Sequence, residues 1–387
     1  MSAVARRLLT IFSGFVLAVL VVLCAAAWYY ASAIEDQAFA VEHEQDPFDL
    51  RVVSIEGGRI TLEAEAATTS KGRWGEPGIW GLESAGTYNR VGRIVEAGDR
   101  TVVRELTELG PLPGEGEPVR IDRDAFPEDP WLGHGIEFRE VGVPAALGTF
   151  PAWLTPGESD TWAILVHGKG AERTECLRIL PLFVEKGHPT LTITYRNDEG
   201  VPASPSGYYQ FGADEWEDLE AAAEYALAAG ASELILAGYS MGGAIVLSFL
   251  YHSEVADRVS AVVLDSPALD FEALIDHGAT RQIPGGEALR SALTDLAMYV
   301  AAQRLGIDYR TMNHLEGVAA LSVPVLLFHG SEDARVPVWL SDRLAEARPD
   351  LVRYEVFDGA IHVGSWNQDR ERYEHAVRRF LTGMEQP

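Results

Sequence analysis

From residue 135 onward the sequence predicts a doubly wound α/β fold, a mostly parallel sheet with helices on both faces, preceded by a membrane-length helix and a small β-rich domain. Three observations predict it. Apolar runs of strand length alternate with helical patterns over residues 135–384, glycine-broken alternating runs fill residues 48–128, and no charge occurs over residues 8–34. A chain of 387 residues, 47% of them apolar, can bury one large core and an accessory domain besides. Its 31 basic and 58 acidic residues give a formal charge of −27 without a long Lys/Arg cluster, which argues against a nucleic-acid partner. The two cysteines, Cys24 in the apolar run and Cys176 alone in the folded part, give no expectation of an intrachain disulfide.

The apolar run LLTIFSGFVLAVLVVLCAAAWYY, residues 8–30, is long enough as a helix to cross a hydrocarbon layer of ~30 Å. Arg6 and Arg7 precede it, Glu35, Asp36, Glu42 and Glu44 follow, and Trp28, Tyr29 and Tyr30 suit the far interface. The positive-inside rule then leaves residues 1–7 in the cytoplasm and puts the bulk of the chain outside, behind a stalk over residues 31–47. The alternative is a cleaved signal peptide and a secreted product, since Ala31, Ser32 and Ala33 offer an A-x-A pattern. An apolar core longer than the usual ~7–15 residues favours the signal anchor. A lipoprotein reading is weaker, because Leu23 before Cys24 is bulky.

Each accessory hairpin follows from its turn. LRVVSIEGGRITLEA reads as two strands turning at Gly57 and Gly58, and RVGRIVEAGDRTVVREL as two more turning at Gly98 and Asp99. GPLPGEGEP, residues 110–118, is a loop between strands, and FPEDPW, residues 126–131, is the boundary with the larger domain. Trp74 and Trp80 are expected in the core of the smaller, β-rich one, with a binding surface as the alternative.

Beyond the boundary, TWAILVHG (161–168) and HPTLTITYR (188–196) read as strands, and GADEWEDLEAAAEYALAAG (212–230) as a helix closing at Gly230. SELILAGYS leads into a helix from Met241. Then come the strands RVSAVVLDSP (258–267), VPVLLFHG (323–330) and VRYEVFDG (352–359), and a last helix over residues 368–381. A ligand site is expected at the carboxyl ends of these strands, where the loops gather.

Gly238-Tyr239-Ser240-Met241-Gly242 is a G-x-S-x-G turn between a predicted strand and a predicted helix. Such a corner strains the serine backbone and lifts its hydroxyl clear of the sheet edge. Gly238 and Gly242 are required because a Cβ would collide where strand and helix pass closely. A serine hydroxyl is a poor nucleophile at neutral pH, so this chemistry demands a histidine base and an orienting carboxylate, in the chain order Ser, Asp/Glu, His. Asp333 follows the strand VPVLLFHG, and His362 follows VRYEVFDG, so all three side chains come to one edge. An oxyanion hole needs backbone N–H donors from the residue after the nucleophile and from an earlier loop. Met241 and, in the HGKG stretch after TWAILV, Lys169 supply them.

With HGKG, GYSMGG, LDSP, HGSEDARVP and HVGSWN in this order, residues 135–384 resemble the α/β-hydrolase superfamily, and within it the lysophospholipase-like and serine-aminopeptidase-like members, often membrane-tethered. The resemblance implies the α/β-hydrolase fold, an eight-stranded, mostly parallel sheet under a helical cap, with Ser240 as nucleophile, Asp333 as acid and His362 as base. Some members take the carboxylate from a neighbouring strand, where Asp265 stands here. Asp333 is preferred, since a rigid Ser-Pro follows Asp265. The cap corresponds to residues 270–321, where GEALRSALTDLAMYVAAQRLG carries Leu289, Leu293, Leu296 and Val300 at helical spacing. That stripe is expected to pack on the sheet, with an acyl-chain wall as the alternative.

The expected chemistry is hydrolysis of a carboxyl ester, of an acyl or lipid-like small molecule, through an acyl-enzyme. Amides and thioesters would use the same apparatus. No cofactor or metal is called for, since no H-E-x-x-H occurs and no G-x-G-x-x-G opens a helix. A tethered binding or scaffold module is the reading from another class, and the intact set of Ser240, Asp333, His362 and HGKG argues against it. Oligomeric state leaves no signal.

Overall fold

A computed structural model of the chain describes residues 3–41, 47–65 and 73–384. Helix α1, Ala3–Ile34, is long and apolar enough to cross a membrane, and its described side chains between residues 6 and 22 are exposed. Further along, Ala27, Ala31 and Ile34 are buried. The helix ends in a π-helical turn, Glu35–Phe39, that drives Phe39 into a ring cluster with Phe271 at 4.7 Å, Tyr309 at 6.0 Å and Phe211 at 6.2 Å. Ala40 bridges to Tyr208, and Phe39 O accepts the Tyr209 N–H at 3.0 Å. The segment expected as a stalk over residues 31–47 is thus docked on the larger domain around Phe39 and Ala40 by these contacts. Residues 42–46 of that stalk, with Glu42 and Glu44, lie outside the described residues.

The accessory domain is a closed barrel of strands β1 (Leu50–Glu56), β2 (Arg59–Ala64), β3 (Trp80–Ser84), β4 (Tyr88–Ala97), β5 (Thr101–Thr107) and β6 (Pro118–Asp122), in the order β1-β2-β5-β4-β3-β6. The first hairpin turns on Gly57 and Gly58, both at positive φ, the backbone a tight two-residue turn requires. Alternate residues such as Val52, Leu62, Leu82, Val91 and Val102 fill the interior together with Trp80, while Trp74 is partly buried against them. Buried Arg104 spans outward: its guanidinium donates to the carbonyls of Gly92, Trp74, Glu76 and Gly78. Burial lowers its pKa to about 10, and the four carbonyls hold the charge in place.

A short helix α2, Pro130–His134, capped by the Asp129 side chain, leads into an eight-stranded sheet. It opens with a hairpin of β7 (Arg139–Ala145) and β8 (Gly148–Thr155). Then come β9 (Thr161–Val166), helix α3 (Leu180–Val184), β10 (Thr190–Ile193), helix α4 (Trp216–Ala228), β11 (Glu233–Tyr239) and helix α5 (Met241–His252). Beyond β12 (Val259–Asp265), in the stretch expected as the cap, come helices α6 (Phe271–Gln282) and α7 (Glu287–Leu305). β13 (Val325–Gly330), α8 (Trp339–Ala347), β14 (Val352–Phe357), α9 (Ser365–Gln368) and α10 (Arg370–Met384) complete the chain. The order across the sheet is β14-β13-β12-β11-β9-β10-β8-β7, with β8 antiparallel to both of its neighbours, β7 and β10, and every other pair parallel. The central strands are buried on both faces, one under α4 and α5, the other under α3 and α10, so they read as unbroken apolar runs.

The cap stripe divides. Leu293 is buried in a cluster with Ala279 and Ile283 against which Leu23, Ala26 and Tyr30 of α1 pack, and Val300 is partly buried, whereas Leu289 and Leu296 are 48% and 38% exposed. α1 runs along the flank of α7, so the Leu293 end of the stripe meets that helix while Val300 meets the main core.

Candidate active site

β11 delivers Ser240 to the sheet's edge at φ 50° and ψ −113°, a left-handed backbone that a side chain adopts only when its surroundings enforce it. The enforcement is local. Ser240 N–H donates to Asp265 O at 2.9 Å, and Ser240 O accepts from Ala268 N at 3.0 Å and Gly243 N at 3.0 Å. A Cβ on Gly238 would stand 2.5 Å from Gly242 O, and one on Gly242 would stand 2.4 Å from Val166 O. Both glycines are thus fixed by backbone that has no room to retreat.

The three side chains expected to act together are within hydrogen-bonding reach. Ser240 Oγ lies 2.9 Å from His362 Nε2, and His362 Nδ1 lies 2.7 Å from Asp333 Oδ2. Since a carboxylate only accepts, Nδ1 carries the hydrogen and Nε2 faces the serine hydroxyl as an acceptor. Asp333 Oδ1 accepts the N–H groups of Arg335 and Val336, each at 2.8 Å. Burial alone would raise this carboxyl, but the imidazoles of His362 and His329 outweigh it and hold it well below the usual carboxylate range.

His329 is a partner the sequence did not single out. At the end of β13 it is wholly buried, with Nε2 3.2 Å from Asp333 Oδ2 and 3.1 Å from Val336 O, and with Nδ1 2.7 Å from Ser341 Oγ. Two acceptors facing Nε2 mean that this nitrogen carries a hydrogen and steadies the carboxylate from below. The only sequence signal was its place four residues before Asp333. Asp265, the competing acid, bonds Ser266 Oγ at 3.1 Å and Ser365 Oγ at 3.4 Å instead of an imidazole. Burial pushes it up to about 6, against the pull of Arg178 and His329.

The loop after β9 is braced from three sides. Gly168 packs so closely that a Cβ there would be 3.2 Å from Ser240 Cβ. Its N–H donates to Glu175 Oε2 at 2.7 Å, and its carbonyl accepts from Tyr195 OH at 2.9 Å. His167 Nε2 meets Asp198 Oδ2 at 2.9 Å, and the carboxylate overcomes burial to raise the imidazole's pKa. Asp198 and Tyr195 come from TITYRND, a stretch whose pattern alone assigns it no role. Lys169 follows in this loop, its Nζ donating to Gln37 O at 2.9 Å. Met241 is the first residue of α5, so its N–H has no carbonyl to bond within the helix.

The barrel reaches the histidine. Ile361, next to His362, packs against the barrel core. The Asn367 amide donates to Ile79 O at 2.6 Å and Arg123 O at 3.0 Å, and Asn367 O accepts the Ile79 N–H at 2.9 Å. Arg178 donates to Val363 O at 2.8 Å and to Arg123 O at 2.6 Å. These ties hold Val363 at φ 53°, a costly backbone for a β-branched residue. Among the described residues no group of three His, Cys, Asp or Glu is arranged to hold a metal.

Residues 200–384 match the prolyl oligopeptidase family. An uncharacterized protein of Mycobacterium tuberculosis, Rv2307c, is 26% identical over 278 residues, which is 70% of this chain and 84% of that protein. YqkD of Bacillus subtilis, also uncharacterized, is 22% identical over 281 residues, covering 68% and 88%. Among solved structures, an esterase of Pyrococcus furiosus superposes with a TM-score of 0.51 at 19% identity, over 64% of this chain and 91% of that one, a likeness of fold. The sheet order, the serine at its strained corner and the match over residues 200–384 agree on one architecture: the chain has the α/β-hydrolase fold and is similar to serine hydrolases of that fold.

Proposed function

We propose that the protein is a membrane-anchored serine hydrolase that cleaves carboxyl esters of acyl or lipid-like substrates, with its catalytic domain outside the cytoplasm. The observation that carries this reading is the continuous hydrogen-bonded series from Asp333 through His362 to Ser240, at 2.7 and 2.9 Å. His362 Nε2 takes the Ser240 proton as Oγ attacks the ester carbonyl, and Asp333 stabilises the imidazolium that forms. The N–H groups of Met241 and Lys169 receive the developing oxyanion at the start of α5, where the helix dipole favours negative charge. His362 returns the proton to the departing alkoxide, leaving an acyl-serine. Water, deprotonated by His362, then releases the acid and restores Ser240. Exposed apolar α1 supports the anchor.

A fluorophosphonate probe should label the full-length chain and leave Ser240→Ala unlabelled. Equal labelling of both would remove Ser240 from the nucleophile's role. The match to the prolyl oligopeptidase family favours a second reading, cleavage of an amide bond by the same residues. Comparing p-nitrophenyl esters of graded acyl length with aminoacyl p-nitroanilides decides between them by kcat/KM.

A further inference from the structure

Resting on the membrane-anchor reading, we propose that the outer face of α7 is a second membrane contact, seated in the outer boundary of the bilayer that α1 crosses, so that the cap receives its substrate from lipid. Leu289, Ala292, Leu296 and Tyr299 recur at helical spacing and are all exposed, the leucines at 48% and 38% and the tyrosine at 63%. Leu293 and Val300, on the adjoining side of the same helix, face inward, Leu293 onto α1. The exposed stripe therefore borders the anchor helix directly, and its apolar surface continues that of α1. Ser291 and Asp295 mark the opposite border, as on a helix lying in an interface.

Depth follows from register. α1 and α7 run in the same direction: the cluster holding Leu293 meets Leu23, Ala26 and Tyr30, while Arg304 lies 4.5 Å over the Trp28 ring and bonds Ser32 Oγ at 2.9 Å and Glu35 at 2.7 Å. Leu289 precedes Leu293 by one turn, so it sits ~6 Å deeper along α1. That position lies beneath the aromatic residues Trp28, Tyr29 and Tyr30, which mark the interface of the span. If those residues sit at the headgroups, Leu289 sits in acyl chains. The formal charge of −27 disfavours attraction to anionic headgroups, so apolar insertion carries the contact.

The stripe is tied to the chemistry at Gln37. Its side-chain oxygen accepts from Gln282 Nε2, at the end of α6, at 2.8 Å, and its backbone oxygen accepts from Lys169 Nζ in the loop beside Ser240. Tyr29 to Gln37 is eight residues, a rise of ~12 Å if helical throughout. The rim of the site thus stands close above the lipid, within reach of an acyl ester that lifts partly out of its leaflet.

The test uses the full-length chain with Cys24→Ser, reconstituted in phosphatidylcholine vesicles, and an environment-sensitive fluorophore on one cysteine at a time: Phe15→Cys in the anchor, Leu289→Cys on the stripe, Glu346→Cys on α8. Lipids brominated along the acyl chain should quench positions 15 and 289 and leave 346 unchanged. Quenching at 15 with 289 as unquenched as 346 overturns the second contact and leaves the anchor standing. No quenching at 15 overturns the anchor reading, and this inference with it. Protection of 289 that follows protein concentration instead of bromination assigns the face to a second copy and also overturns it. As a functional arm, Leu289→Glu with Leu296→Glu should lower hydrolysis of a vesicle-borne long-chain ester roughly tenfold or more, while kcat/KM on a soluble short ester stays as it was. An equal loss on both substrates counts against the proposal.

Discussion

Replacing Asn367 with alanine is expected to slow turnover although its side chain touches no reacting atom. The amide is almost wholly buried and donates to two carbonyls, at Ile79 in the barrel and Arg123 at its exit. Arg123 O keeps a donor in Arg178, so that loss is one ordinary hydrogen bond, about 1 kcal/mol. Ile79 O is stripped of the Asn367 amide in a partly buried place, at ~1–3 kcal/mol, for a sum of ~2–4 kcal/mol. Were all of it to fall on the productive position of His362, kcat would drop roughly 30- to 1000-fold. Arg178 and Ser266 also hold the segment, through Val363, so the expected fall is ~10–30-fold. Steady-state kinetics on a p-nitrophenyl ester should show the loss in kcat with KM little changed, and Asn367→Gln should restore part of it. A kcat within about twofold of wild type, beside a clearly lowered Tm, would refute the argument and reduce the barrel to a source of stability.

Asp333→Asn should cost on the order of 10⁴-fold in kcat, because an amide there favours the wrong imidazole tautomer, whereas Asp265→Asn should stay within about tenfold. Asp265, raised to about 6, contributes stability below its unfolded value that is lost as pH rises through 6. The Tm of Asp265→Asn relative to wild type should accordingly climb between about pH 4 and 7. His329→Phe removes a donor to a buried carboxylate, at ~1.5–3 kcal/mol. Asp333 is held low in the folded chain, so its contribution is present above the unfolded carboxylate value and lost as pH falls through the folded one. The Tm deficit of His329→Phe should be largest near neutrality and narrow on acidification. Gly242→Ala places a Cβ 2.4 Å from Val166 O and 2.5 Å from His167 O, and should cost ~3 kcal/mol or more in stability along with most fluorophosphonate reactivity.

What the sequence made legible was local. The buried strands announce themselves as apolar runs, and the corner at Ser240 as closely spaced glycines, because each depends on neighbours within a few residues. β7 and β8 escaped notice, since Pro144 and Pro151 interrupt their alternation, and only Pro144 lies on the edge strand, where proline is readily tolerated. Contacts between distant segments left no local trace. Nothing near Phe39 announces Phe211, Phe271 and Tyr309, and nothing near Ile361 announces the barrel. The stripe on α7 was visible as a stripe, yet periodicity gives a face and not the partner that covers it. His329 lay in plain view within VLLFHG and was overlooked, because a histidine ending a buried strand carries no signal until the carboxylate beneath which it sits is known.

Phe39 belongs to the leader by chain order and to the catalytic body by packing. Severing the polypeptide between residues 41 and 47 would withdraw that ring from three others, and a vacated aromatic site of this size costs ~3–5 kcal/mol. Shedding by a protease would therefore release a wounded enzyme with a sticky socket, whereas a cut ahead of Glu35 would let the plug travel with its lock. Soluble versions meant for crystallisation or screening should begin upstream of that turn.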